Sequence, residues 1–190
     1  MRWIPNGLSL LRMSMAIPLA IWLWQDKLWH VICVGIAAAL TDLVDGFLAR
    51  EFQWRTKLGA WLDPAADKFL ITACLVTMTL KEALPVWFCA VVLFRDVQLV
   101  SGILALSKRK YGFKIQPQLT GKLATVAQNF AILLSILQNI SNLSAKFLPG
   151  LVVIATGLTL ISSYNYLRLY IRIFRRNAAP SDVSKKVEVS

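Results

Sequence analysis

Carboxylates are scarce in this chain. Ten Asp and Glu stand against 21 Lys and Arg among 190 residues, with a single histidine. Charged residues of both signs make up only 16%, where water-soluble domains carry about a quarter. With 57% hydrophobic residues and a mean hydropathy of +0.58, that deficit points to lipid as the solvent. Cysteine is also sparse. Cys33, Cys74 and Cys89 lie inside apolar runs, have no metal-like spacing and cannot all pair, so they read as small core hydrophobes and exclude a disulfide framework. His30 falls at the outer start of an apolar run and is assigned no role. Internal repeats and low-complexity segments are absent.

The net charge of +11 could serve nucleic acid or an anionic membrane surface. The basic residues sit in short segments between hydrophobic runs and no nucleic-acid recognition motif accompanies them. They therefore fit the positive-inside pattern and lipid headgroups.

A spanning helix needs about 20 mostly apolar residues. Six such stretches can be drawn, at 7–25, 29–49, 60–80, 85–107, 119–140 and 147–173. The expectation is an all-α integral membrane protein of six transmembrane helices, one domain over 1–176 and a polar, disordered tail over 177–190. Pro5 and Asn6 read as a helix start. The first run lacks a clear small-residue cleavage site and five more runs follow, so it is read as retained and not as a signal peptide. One side of the membrane would hold Arg2, Arg50, Arg55, Lys57, Lys108, Arg109, Lys110, Lys114 and the basic tail; the other holds Lys27, Lys81 and Lys146. That asymmetry predicts cytoplasmic termini. Trp22, Trp24, Trp29, Trp54, Trp61 and Trp87 fall near span ends, as an interfacial belt would.

Against this background four aspartates stand out: Asp42, Asp45, Asp63 and Asp67. A carboxylate at the bilayer centre costs at least about 2.5–3.5 kcal/mol on insertion scales, so such residues are functional candidates. Structural ion pairs with Arg50, Lys57 or Lys68 are the alternative. Asp42 and Asp45 are three apart and share a helix face; Asp63 and Asp67 are four apart and share another. The eight residues Glu51–Leu58 would bring the second and third helices together at their cytoplasmic ends, so that four carboxylates converge. Their repulsion is relieved by bound cations. Hard oxygen donors with no histidine nearby suit Mg²⁺ or Mn²⁺, and four carboxylates suffice for two ions about 3.5–4 Å apart, the arrangement that clamps a phosphoryl group. Gly46 and Ala49 leave one helix face bare enough for a flat ring or a pyrophosphate, and Gly59 does so at the next helix start. Alone, such residues read as ordinary close helix packing. Arg50 offers phosphate a planar fork of donors.

Asp42-Leu-Val-Asp45-Gly46-Phe-Leu-Ala49-Arg50, then eight residues, then Gly59-Ala-Trp-Leu-Asp63-Pro-Ala-Ala-Asp67 resembles the signature of the CDP-alcohol phosphatidyltransferases, with every fixed position matched and no spacing changed. The resemblance implies that Asp42, Asp45, Asp63 and Asp67 ligate the metals. It implies that Asp67 is also the general base toward the acceptor hydroxyl, and that Asp42, Gly46, Ala49, Arg50 and Gly59 bind the CDP group. It further implies attack of an alcohol oxygen on the β-phosphorus of CDP-diacylglycerol with release of CMP, a bacterial inner-membrane location and a homodimer.

Three further segments resemble the phosphatidylglycerophosphate synthase and cardiolipin synthase branch. These are Pro5-Asn6-Gly-Leu-Ser9-Leu-Leu-Arg12, the pair Arg95-Asp96, and Gly121-Lys122-Leu-Ala-Thr125-Val-Ala-Gln128. Phosphatidylglycerophosphate synthases usually carry Glu after the arginine and a second Lys before the threonine, where this chain has Asp96 and Ala124. Asp96 and Pro117 lean toward cardiolipin synthase; Gly121 leans back. Arg95, Lys114 and Lys122 could meet an acceptor phosphate, though Lys108 to Lys114 also reads as a loop drawn to anionic lipid. Glycerol 3-phosphate is taken first as acceptor, as the commoner activity among short chains of this type, and phosphatidylglycerol second. The rival class is a cation transporter built on the same carboxylates. An ion path needs acids near mid-membrane on several helices, whereas these four crowd one end of two.

Overall fold

A computed structural model describes residues 4–51, 59–108, 119–141 and 146–178; at 4–6, 8–9, 28, 39, 42–51, 59–64, 103, 106–108, 140–141 and 174–178 it describes the helical backbone and not the side chains. The described residues form six helices and no strand: α1 (Ile4–Trp24), α2 (Leu28–Glu51), α3 (Gly59–Leu80), α4 (Val86–Lys108), α5 (Leu119–Ser141) and α6 (Leu148–Ala178). Each predicted apolar run is one helix. Among the described residues, Leu119–Asn139 in α5 and Leu148–Ile173 in α6 are long and apolar enough, by length and composition, to cross a membrane. The loops carrying Arg55, Lys57 and Lys114, and the tail from 179, lie outside the described residues.

The turns at one end of the bundle are defined by backbone chemistry. α1 closes through Asp26 N–H to Leu23 C=O at 3.3 Å and Lys27 N–H to Trp22 C=O at 3.0 Å, with Asp26 at φ 55°. α3 closes the same way, through Glu82 N–H to Thr79 C=O and Ala83 N–H to Met78 C=O, both at 3.0 Å, with Glu82 at φ 60°. Both are Schellman closures, in which a left-handed residue lets two N–H groups turn back onto the last carbonyls. Glycine usually stands there, and this chain uses an aspartate and a glutamate. Pro85 then accepts from Phe88 and Cys89 N–H and starts α4.

α1 packs most extensively on α3 and also on α2, while α6 packs on α5 and α4. The two groups meet where α3 touches α5 and α4, across thinner interfaces. The apolar core fills the turn end, with Leu23, Leu75, Met78, Leu84, Phe88, Ile132 and Val152 all buried. Trp24, Trp29 and Trp87 are exposed at that same end. Along α5, Leu119, Leu123, Val126, Phe130 and Leu133 alternate by four and three and all face outward, while Ala124, Gln128, Ala131 and Ser135 are buried. An apolar outer stripe over a small, polar inner one is the reverse of a water-soluble helix and suits a lipid surround. Against that inner stripe lie Ala155, Thr159 and Ser162 of α6; Gln128 Nε2 donates to Thr159 Oγ1 at 2.7 Å.

Candidate functional site

The end of the bundle away from these turns is polar inside. Arg12 on α1 is 2% exposed, although it stands in an otherwise apolar helix. Its Nη1 donates to Asp67 Oδ1 on α3 at 2.5 Å. An arginine so desolvated needs a counter-ion, and the extensive α1–α3 interface carries it there. Asp67 itself stays 47% exposed, and among the described residues Arg12 is its one polar partner. One carboxylate oxygen is thereby fixed while the group remains open to the cleft it lines.

That cleft, about 340 Å³, lies between α3, α4 and α5. At its mouth are Asp67, Lys68, Asp96 and Thr125; further in are Gln128 and Asn129; its inner wall is Ile71, Leu75, Val92 and Ile132. Lys68 Nζ meets Asp96 Oδ1 at 2.5 Å, so this lysine pairs across to α4.

Arg95 is 5% exposed. Its Nη1 lies 3.2 Å from Asp96 Oδ1, and its Nη2 donates to Gly121 C=O at 3.2 Å and Thr125 Oγ1 at 3.4 Å. The two branch-like segments are thus packed on each other, with the arginine of one closing on the carbonyl and hydroxyl of the other. Lys122, next in sequence, is exposed. Gly121 packs closely on α6, since a Cβ there would stand 3.0 Å from the Tyr166 hydroxyl.

Asp42, Asp45, Gly46, Ala49 and Arg50 occupy the C-terminal half of α2, and Gly59 and Asp63 the start of α3. Their side chains lie outside the described residues, as does all of Lys114. No group of three or more His, Cys, Asp or Glu converges among the described residues. The donor chemistry of the four aspartates nonetheless fits a hard dication. Asp67 presents a half-open carboxylate at this end, while His30 sits at the other, 5.1 Å from the Trp22 ring. Arg12 is a candidate that motif reading left without a role. Its signals in the sequence are a charge inside an apolar run and its place at the end of the Pro5 to Arg12 segment.

The CDP-alcohol phosphatidyltransferase family model matches residues 2–162. The chain is 34% identical over 158 residues to a cardiolipin synthase (CMP-forming) of Streptomyces coelicolor, covering 76% of this chain and 71% of that one. It is 36% identical over 107 residues to the cardiolipin synthase (CMP-forming) of Homo sapiens, covering 56% of this chain but only 36% of the longer human protein. It is 32% identical over 179 residues to the CDP-diacylglycerol--glycerol-3-phosphate 3-phosphatidyltransferase of Rickettsia bellii, covering 87% of this chain and 93% of that one. The match takes in both the aspartate segment and the helices that carry Arg12, Arg95 and Gln128, and on that extent the chain belongs to the CDP-alcohol phosphatidyltransferase family.

Proposed function

We propose that this protein transfers the phosphatidyl group of CDP-diacylglycerol to a glycerol-type alcohol and releases CMP, a step of phospholipid biosynthesis. The acceptor is glycerol 3-phosphate, as the name of the Rickettsia relative implies, or phosphatidylglycerol, as suits the cardiolipin synthases. The observation that supports this most is the placement of Asp67. The last aspartate of a fully matched signature stands half-exposed on the wall of a cleft, with one oxygen held by a buried arginine.

Asp42, Asp45, Asp63 and Asp67 would hold two Mg²⁺ or Mn²⁺ ions, which when bound neutralise the diphosphate and the departing phosphate. Gly46, Ala49 and Gly59 let the CDP group approach the α2 and α3 backbones, with Asp42 and Arg50 beside it. The acceptor oxygen forms its bond to the β-phosphorus, the bond from that phosphorus to the oxygen of CMP breaks, and the hydroxyl proton passes to Asp67. Arg12 keeps Asp67 in place for that transfer. Lys114 and Lys122 attract the acceptor phosphate, and Arg95 acts by holding Gly121 and Thr125.

All six helices span the membrane in this reading, with residues 1–176 as one membrane domain, 177–190 as a tail and both termini cytoplasmic. The aspartates then lie at the cytoplasmic ends of α2 and α3, in a bacterial inner membrane, as a homodimer. The test is CMP release from CDP-diacylglycerol by the purified protein given both acceptors together. Asp67→Asn should lower turnover by about 10²–10⁴-fold, the contribution of a general base, with helical content unchanged. Full turnover in the folded variant contradicts the role given to Asp67.

A further inference from the structure

The cleft between α3, α4 and α5 has two chemically different halves. Along α3 its wall runs from Asp67 and Lys68 through Ile71 to Leu75, eight residues or about 12 Å along the helix axis. α4 follows the same gradient in the opposite chain direction, from Asp96 to Val92, and α5 follows it from Thr125 through Asn129 to Ile132. The three helices therefore place polar groups at one level and hydrocarbon at a deeper one. The cleft is open at its mouth, and its volume of about 340 Å³ is some eleven times the roughly 30 Å³ share of one water. A small polyol phosphate would satisfy the mouth and leave the inner wall of Ile71, Leu75, Val92 and Ile132 facing an empty or wet space. An amphiphile satisfies both halves.

The topology also separates two substrates. The segment carrying Gly46, Ala49 and Arg50 is on α2, which packs on α1, whereas the cleft is bounded by α3, α4 and α5. Asp67 stands on α3, which packs on α1 and bounds the cleft. The molecule whose hydroxyl must give up a proton to Asp67 is the one that enters on the α4–α5 side.

The geometry points to this cleft as the acceptor site, with Lys68 and Asn129 meeting a phosphodiester and the inner wall taking a hydrocarbon chain, so that the acceptor is a glycerophospholipid and not a soluble glycerol phosphate. This rests on the phosphatidyltransferase reading above and deepens it by naming the class of acceptor.

The test uses the purified full chain in detergent with Mg²⁺ or Mn²⁺, CDP-diacylglycerol, and either phosphatidylglycerol or glycerol 3-phosphate, with CMP and the lipid product both identified. The expected result is CMP release with phosphatidylglycerol and not with glycerol 3-phosphate. Val92→Phe, which fills the inner wall, should raise KM for phosphatidylglycerol by about tenfold, as a few misplaced methylenes do, and leave KM for CDP-diacylglycerol unchanged. Should Val92→Phe not fold, Asn129→Trp, at an exposed position of the cleft lining, reads the same split between the two KM values. Glycerol 3-phosphate as the productive acceptor overturns the inference. So does a filled cleft that raises KM for CDP-diacylglycerol alone, which would assign the slot to the donor. Absence of CMP release with either acceptor removes the phosphatidyltransferase reading itself, whereas a wrong cleft assignment leaves CMP release intact.

Discussion

Arg12 and Asp67 are 55 positions apart, and no spacing rule connects them. A buried arginine that donates to a carboxylate can hold it in place, since its planar fork fixes the oxygen it touches. Arg12→Met should lower kcat about 10–100-fold, the usual loss when a group orienting a ligand is removed, while Arg12→Lys recovers part of it. Equal loss in both variants, with KM rising and kcat constant, would show that Arg12 binds substrate instead. A different residue tests packing. Gly102 lies against the Tyr170 ring so closely that a Cβ would overlap it. Gly102→Ala gains up to about 1 kcal/mol of helix propensity but forces a well-packed ring to move, at about 1–3 kcal/mol. The net expectation is a lower thermal midpoint. Gly157→Ala, where the space is open, should not lower it.

The helices themselves were legible in sequence because hydrophobic run length is a strong signal, and the predicted run at 29–49 is α2 (Leu28–Glu51) to within two residues at each end. α6 is the exception. The apolar run ends at 173, yet the helix continues to Ala178, with Tyr166, Tyr170 and Ile173 buried along its inner face. Hydropathy marks where lipid contact ends, not where backbone hydrogen bonding ends. The turns were less legible, because their closures rest on left-handed Asp26 and Glu82 where the expected signal is glycine. Lys81 secures them: its ammonium donates to Leu23 C=O at 3.1 Å and Trp24 C=O at 3.3 Å and pairs with Asp26, which also accepts from Asn139 at 2.7 Å. A cation on the last carbonyls of α1 is stabilising both by hydrogen bonds and by the helix dipole. Lys81→Met should cost about 1–3 kcal/mol in thermal or denaturant unfolding. Glu82→Gly, which removes the left-handed strain, should gain about 1 kcal/mol in the same assay. A loss there would mean the Glu82 side chain is needed.

Taken whole, the molecule segregates its chemistry. The apolar core packs the turn end, and the buried cations Arg12 and Arg95 lie toward the other. The aspartate segment stands out in the sequence because four carboxylates sit within 26 positions on two consecutive helices. The cleft could not, since it is made where three helices from different parts of the chain fail to close on one another, as the thin α3–α4 and α3–α5 interfaces show. The central claim is that carboxylates at one end of α2 and α3 work only with dications. Titrating purified protein with EDTA and then with Mg²⁺ or Mn²⁺, while following CMP release from CDP-diacylglycerol, tests it most directly. Release is expected to stop with chelator and to return with either metal; release that continues undiminished in excess EDTA would contradict the need for a dication.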